Sequence, residues 1–78
     1  MEYYRVVLSR RNQRTEYYVI GENAADTDAN YKKKNPATRG MNVFALPVIG
    51  NEKASLEKRA EEPGFKRKLL NGGIQRKL

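Results

Sequence analysis

Tyr3 to Ile20 reads YYRVVLSRRNQRTEYYVI. Within it Tyr4, Val6 and Leu8 alternate with Tyr3, Arg5, Val7 and Ser9, a period of two in aromatic and β-branched side chains that suits a pleated strand. Thr15 to Ile20 repeats the pattern. The intervening Arg10-Arg11-Asn12-Gln13-Arg14 is short, polar and centred on an Asn that tolerates a left-handed backbone. The two runs are therefore expected to close as an antiparallel hairpin with three arginines at its tip. A two-residue turn at Asn12-Gln13 would set Val6 opposite Val19 and Leu8 opposite Tyr17, and a three-residue loop would set Leu8 against Tyr18. Both faces carry apolar residues, which leaves the register open.

Outward from the hairpin the period changes. Asn23 can cap the amides of a following turn, and Ala24, Ala25, Ala29 and Tyr31 suggest one apolar helical stripe. Asp26 and Asp28 near its start and Lys32-Lys33-Lys34 near its end both suit the helix dipole, and Asn35-Pro36 ends it after about ten residues. Two carboxylates at Asp26 and Asp28 point apart on a helix, so the dipole accounts for them better than a cation would. Pro36 to Asn42 reads as a turn. Val43 to Ile49 reads as a third strand that Pro47 confines to an edge or terminates. A right-handed crossover through the helix places that strand parallel to the second and beside the first. The expected fold is α+β: a three-stranded ββαβ sheet with one helix on one face over residues 1–50. A short second helix is expected over 51–62, capped by Asn51 and stopped by Pro63-Gly64, then a flexible basic tail over 63–78.

Composition narrows the chemistry. The 78 residues carry 16 Lys and Arg against 9 Asp and Glu, a formal charge of +7, and include no His, Cys or Trp. A chain of this length with 38% apolar residues builds a thin core and leans on a partner or a second copy. Without imidazole or thiol it lacks the usual zinc, haem and iron–sulfur ligands and the usual general base near neutral pH. No Gly-rich Lys-Ser/Thr phosphate loop is present, since Gly72-Gly73 is followed by Ile74. The reading is a non-enzymatic binding module with no metal and no cofactor. Absent cysteines and a start without basic and apolar leader regions point to the cytoplasm, and no apolar run is long enough to span a bilayer.

Positive charge is the strongest functional signal. Arg10, Arg11 and Arg14 sit at the hairpin tip, with Tyr3 and Tyr17 on the strands beneath it as rings on which bases could stack. The same tyrosines equally suit cross-strand packing or a homodimer seam. Lys32, Lys33 and Lys34, and Lys66, Arg67 and Lys68, form two further clusters that could neutralise phosphates and release counterions. The plainer readings are a helix C-terminus completed by cations and a solubilising tail. Asn35-Pro36-Ala37-Thr38-Arg39-Gly40 resembles the Asn-Pro-x-Thr arm tip of the HU/IHF family of bacterial histone-like proteins, over these six residues alone. The resemblance implies a wedge role for Pro36 and a groove contact for Arg39. The chain opens with a hairpin where that family opens with helices, and the segment also reads as a helix stop plus loop.

The leading expectation is therefore a nucleic-acid-binding accessory protein, for DNA or RNA, that grips the phosphate backbone with its hairpin tip and basic tail. The alternative is an adaptor or inhibitor of phage or plasmid type that docks on an acidic partner protein through an open sheet face or edge. A homodimer fits either.

Overall fold

The computed structural model describes residues 1–76. Strands β1 (Glu2–Arg10) and β2 (Gln13–Gly21) form the expected hairpin, followed by helix α1 (Ala24–Lys34), a single 3-10 turn (Pro36–Thr38) and strand β3 (Asn42–Pro47). Helices α2 (Gly50–Arg59) and α3 (Pro63–Asn71) and a two-residue strand β4 (Ile74–Gln75) complete the chain. The sheet runs β3-β1-β2-β4, and every neighbouring pair is antiparallel. Placing β3 beside β1 agrees with the crossover argument. Among the described residues the sheet has four strands rather than three, α2 lies where the short second helix was expected, and α3 is a third helix.

The hairpin turns at Arg11-Asn12, one residue before the position considered from sequence, so Tyr4 faces Val19, Val6 faces Tyr17 and Leu8 faces Thr15. Arg11 takes the left-handed conformation, φ 53°, that the turn requires. The pairing resolves the two faces. Tyr4, Val6, Leu8, Val19 and Val43 form a core with Tyr31 of α1, and Tyr17, Met41 and Ala45 pack against it. Tyr3, Arg5, Val7, Glu16, Tyr18, Phe44 and Leu46 share the opposite face, because side chains alternate along each strand.

Asn23 caps α1 as expected: its Oδ1 accepts from the Asp26 amide at 2.8 Å. The buried stripe differs from the alanine stripe read in the sequence. Thr27 and Tyr31, four residues apart, are the side chains that face inward, while Ala24, Ala25 and Ala29 are exposed. Alanine offers too little area to compete with a tyrosine ring for the sheet. That ring lies 6.0 Å from the ring of Tyr17.

Burial, with Tyr17 alongside, pushes the Tyr31 hydroxyl up to about 12. The fold favours its neutral form, so this contribution is complete below the ordinary tyrosine value of 10.0 and is lost as pH rises through about 12. The urea midpoint is expected to hold up to about pH 10 and then fall, and Tyr31→Phe should reduce the fall. An equal alkaline decline in Tyr31→Phe would refute this assignment.

The segment expected as a flexible basic tail is folded over its described part. Pro63 sits in the first turn of α3, where a missing N–H costs nothing, so Pro63-Gly64 starts a helix as well as ending one. Leu69 projects from α3 into the flank where α1 meets β2 and is only 1% exposed. Gly72 and Gly73 both donate to the Lys68 carbonyl, at 3.2 and 2.7 Å, and close the helix. Gly73 has φ 82°, and a Cβ there would lie 2.6 Å from Val19 Cγ1 and 2.8 Å from the Tyr18 carbonyl oxygen. Only glycine fits both demands. Lys77 and Leu78, the end of the expected tail, lie outside the described residues.

Candidate functional site

Three separate pieces of chain converge at the hairpin end of the sheet. Arg10 and Arg11 form the tip of β1, and Ser9 pairs with Asn42, so β3 begins beside that tip. The chain reaches Asn42 from the C-terminus of α1 through the 3-10 turn, which brings Lys32, Lys33 and Arg39 around one open groove of about 630 Å³ with Pro36, Thr38, Gly40 and Met41. Residues 8–15 and 32–43 together hold Arg10, Arg11, Arg14, Lys32, Lys33, Lys34 and Arg39, seven cations, and no carboxylate. Glu2, Glu22, Asp26 and Glu52 lie at the opposite end, by the first residues of β1 and the starts of α1 and α2.

The cations differ in what holds them. Lys32 lies 3.4 Å from Asp28, one turn earlier on α1. Among the described residues Arg10, Arg11, Lys33, Lys34 and Arg39 make no ion pair, and all are exposed. The segment that resembles an arm tip is the 3-10 turn itself. Thr38 is buried, its hydroxyl donates to the Asn35 carbonyl at 2.8 Å, and Arg39 N donates to the Pro36 carbonyl. Pro36 opens a turn docked between α1 and β3, so the projecting geometry implied by the resemblance is absent from this segment. Arg39 is exposed on the groove wall.

On the sheet face away from α1 the guanidinium groups are committed to carboxylates. Glu16 is 4% exposed and receives three arginines: Arg5 Nε at 2.9 Å, Arg76 Nη1 at 3.2 Å and Arg14 Nε at 3.5 Å. Glu52, from the first turn of α2, lies 3.3 Å from Arg76 Nη2 and 3.9 Å from Arg5 Nη1, and accepts from the Tyr18 hydroxyl at 2.6 Å. Burial, and then the bond to Glu52, hold the Tyr18 hydroxyl above its usual 10.0. α2 thus closes over one end of this face and clamps the last strand to β2, with Arg76 N donating to the Glu16 carbonyl at 2.8 Å.

The residues singled out in the sequence therefore separate into groups. Arg10, Arg11, Lys32, Lys33 and Arg39 are brought to the hairpin end, whereas Lys34 lies on the flank where α1 meets β2 and α3. Arg14 is 59% exposed and reaches both the tip and Glu16. Tyr17 turns to the core side and packs on Tyr31, so the stacking role expected of it gives way to packing. Tyr3 is half-buried on the face that α2 partly covers. Lys66, Arg67 and Lys68 are exposed on α3, along the β2 flank, as a separate basic patch. Sequence reasoning missed Glu16 as an organising residue. A lone Glu in a run of strand formers between Arg14 and Tyr17 was the available signal.

Comparison with family models, with curated proteins and with solved structures finds no match. Function must therefore be argued from geometry and charge. Among the described residues no helix is long and apolar enough to cross a membrane, and no cluster of three or more His, Cys, Asp or Glu is placed to hold a metal.

Proposed function

We propose that this protein is a non-enzymatic nucleic-acid-binding accessory protein whose basic pole grips the phosphate backbone. The observation that carries the reading is the gathering of Arg10, Arg11, Lys32, Lys33 and Arg39 at the hairpin end of the fold, with only Lys32 held in an ion pair among the described residues. Arginines at a protruding tip can engage phosphate oxygens through two parallel N–H donors, and lysines beside them neutralise charge without fixed geometry.

Two further features support it over an acidic protein partner. Residues 8–15 and 32–43 offer no exposed aromatic or large aliphatic side chain, the nearest being Phe44 farther along β3, whereas protein interfaces centre on such anchors. Arg11 occupies a left-handed position that Gly or Asn would adopt with less strain. Backbone strain kept at an exposed tip fits a side chain retained for contact rather than for folding. With Tyr17 in the core and no base-stacking platform at the pole, binding should be tolerant of sequence.

The test is a fluorescence-anisotropy titration of labelled duplex DNA, single-stranded DNA and RNA with nuclease-treated protein. Micromolar binding that weakens steeply with salt is expected for at least one of the three. Flat anisotropy for all three at about 50 mM salt and tens of micromolar protein would overturn the proposal. If the pole instead meets an acidic protein, a defined partner is retained from nuclease-treated lysate while the anisotropy stays flat.

A further inference from the structure

Hydrogen-bonding capacity, apolar side chains and absence of charge coincide along the outer edge of β3. Asn42–Pro47 contains no charged residue, yet β3 is the terminal strand of the sheet. Phe44 is 56% exposed and Leu46 41% exposed, both on the face away from α1. Edge strands are ordinarily protected by lysines, bulges or covering loops, and this one carries only Pro47.

The phase of the ladder shows which groups are free. Val48 N donates to the Tyr3 carbonyl at 3.0 Å, which makes Tyr3 and Val48 a hydrogen-bonded pair. Bonded and non-bonded pairs alternate in an antiparallel ladder, so Leu46, Phe44 and Asn42 also bond inward to Arg5, Val7 and Ser9. The N–H and C=O groups of Val43 and Ala45 then point outward. Pro47 falls in the outward phase, where its missing N–H removes nothing from the sheet.

We infer that this edge is a self-association seam, on which β3 pairs antiparallel with β3 of a second copy across a two-fold axis at Phe44. In that register Val43 faces Ala45 of the second copy and Ala45 faces its Val43. All four outward N–H groups find carbonyls, and Pro47 is not asked for a donor. Phe44 lies opposite Phe44 in a non-hydrogen-bonded pair, where side chains approach most closely. Shifting the axis to Ala45 would set Val43 against Pro47 and leave a carbonyl unpaired on each chain. The charge distribution agrees with the arrangement. β3 starts at the basic pole, so antiparallel pairing sends the two poles to opposite ends and keeps like charges apart. The seam does not depend on what the pole binds.

Sedimentation equilibrium of the nuclease-treated full chain tests the inference. A strand-edge seam is small, so dimer is expected to dominate only near 100 µM, on the order of the weak end of specific association. Phe44→Lys, which places two cations face to face, should sediment as monomer with an unchanged circular-dichroism spectrum. Register is read separately by oxidative cross-linking, since the chain has no cysteine of its own. A mixture of Asn42→Cys and Leu46→Cys chains should give a disulfide-linked heterodimer, and neither variant alone should cross-link. A wild-type chain that stays monomeric at about 1 mM, well above the range expected of weak interfaces, would overturn the seam. So would dimerisation of Phe44→Lys equal to wild type, or efficient cross-linking of Leu46→Cys alone.

Discussion

Glu16→Ala is expected to remove most of the protein's stability and leave it only marginally folded at room temperature. The carboxylate is buried and is the common partner of Arg5, Arg14 and Arg76, so its removal leaves three guanidinium groups facing one another without it. Breaking a buried ion pair by deleting one partner costs about 3–5 kcal/mol, and the low end of that range is expected because the arginines left behind are partly exposed and Arg5 and Arg76 keep Glu52. Domains of this size are stable by about 5 kcal/mol or somewhat more, so a loss of that size consumes most of the margin. The consequences reach beyond the site, since the Glu16 backbone and side chain both hold Arg76 and through it β4. Urea denaturation monitored by far-ultraviolet circular dichroism checks the expectation. Glu16→Gln, which retains an acceptor and the volume but not the charge, should fall between alanine and wild type. A Glu16→Ala midpoint within error of wild type would show that the three arginines find enough solvent without it.

The second large effect concerns the pole. Replacing Arg10, Arg11 and Arg39 together by alanine removes three exposed cations that make no ion pair among the described residues, so stability should change little. If each touches a phosphate of a duplex, the salt slope of binding falls by about 0.9 per contact, or roughly 2.7 in all. Referred to 1 M salt, that corresponds at about 50 mM to an affinity loss of roughly 10³ to 10⁴-fold, by far the largest change expected from surface substitutions. The matching triple replacement of Lys66, Arg67 and Lys68 is expected to lower the slope less, because these residues lie on the β2 flank away from the convergence. Equal losses from the two triples would mean that charge acts through its total rather than through its placement. No loss from the first would remove the pole from consideration.

The hairpin, the Asn23 cap, the stop at Asn35-Pro36 and the placement of β3 beside β1 were legible, because each rests on a local pattern or on a chirality rule. The register was not. Both faces of Tyr3–Ser9 and Thr15–Ile20 are partly apolar, so burial does not choose between them, and the turn lacks the glycine that would mark it. An arginine accepts the left-handed position instead. α3 was hidden for a different reason: Pro63-Gly64 serves equally as a stop and as a start, and one buried residue, Leu69, decides between them within a run of lysines and arginines. At the candidate site the individual cations were visible, but their sorting was not. Nothing near Arg76 in the sequence points to Glu16, since sixty positions separate them. The same contact that orders the C-terminal segment also withdraws Arg5 and Arg76 from the surface, so which cations stay available is a property of the tertiary fold.

Unpaired Arg10, Arg11, Lys33 and Arg39 at the hairpin end, with Glu2, Glu22 and Asp26 at the other, would give the molecule an electric moment along the sheet. In the field of any polyanion such a body experiences a torque before contact and turns its cationic end forward, while approaches led by Glu2, Glu22 and Asp26 are turned away. Added electrolyte would flatten that field and slow capture first, with escape from the bound state changing less. Encounter, more than residence, is where this asymmetry would be felt.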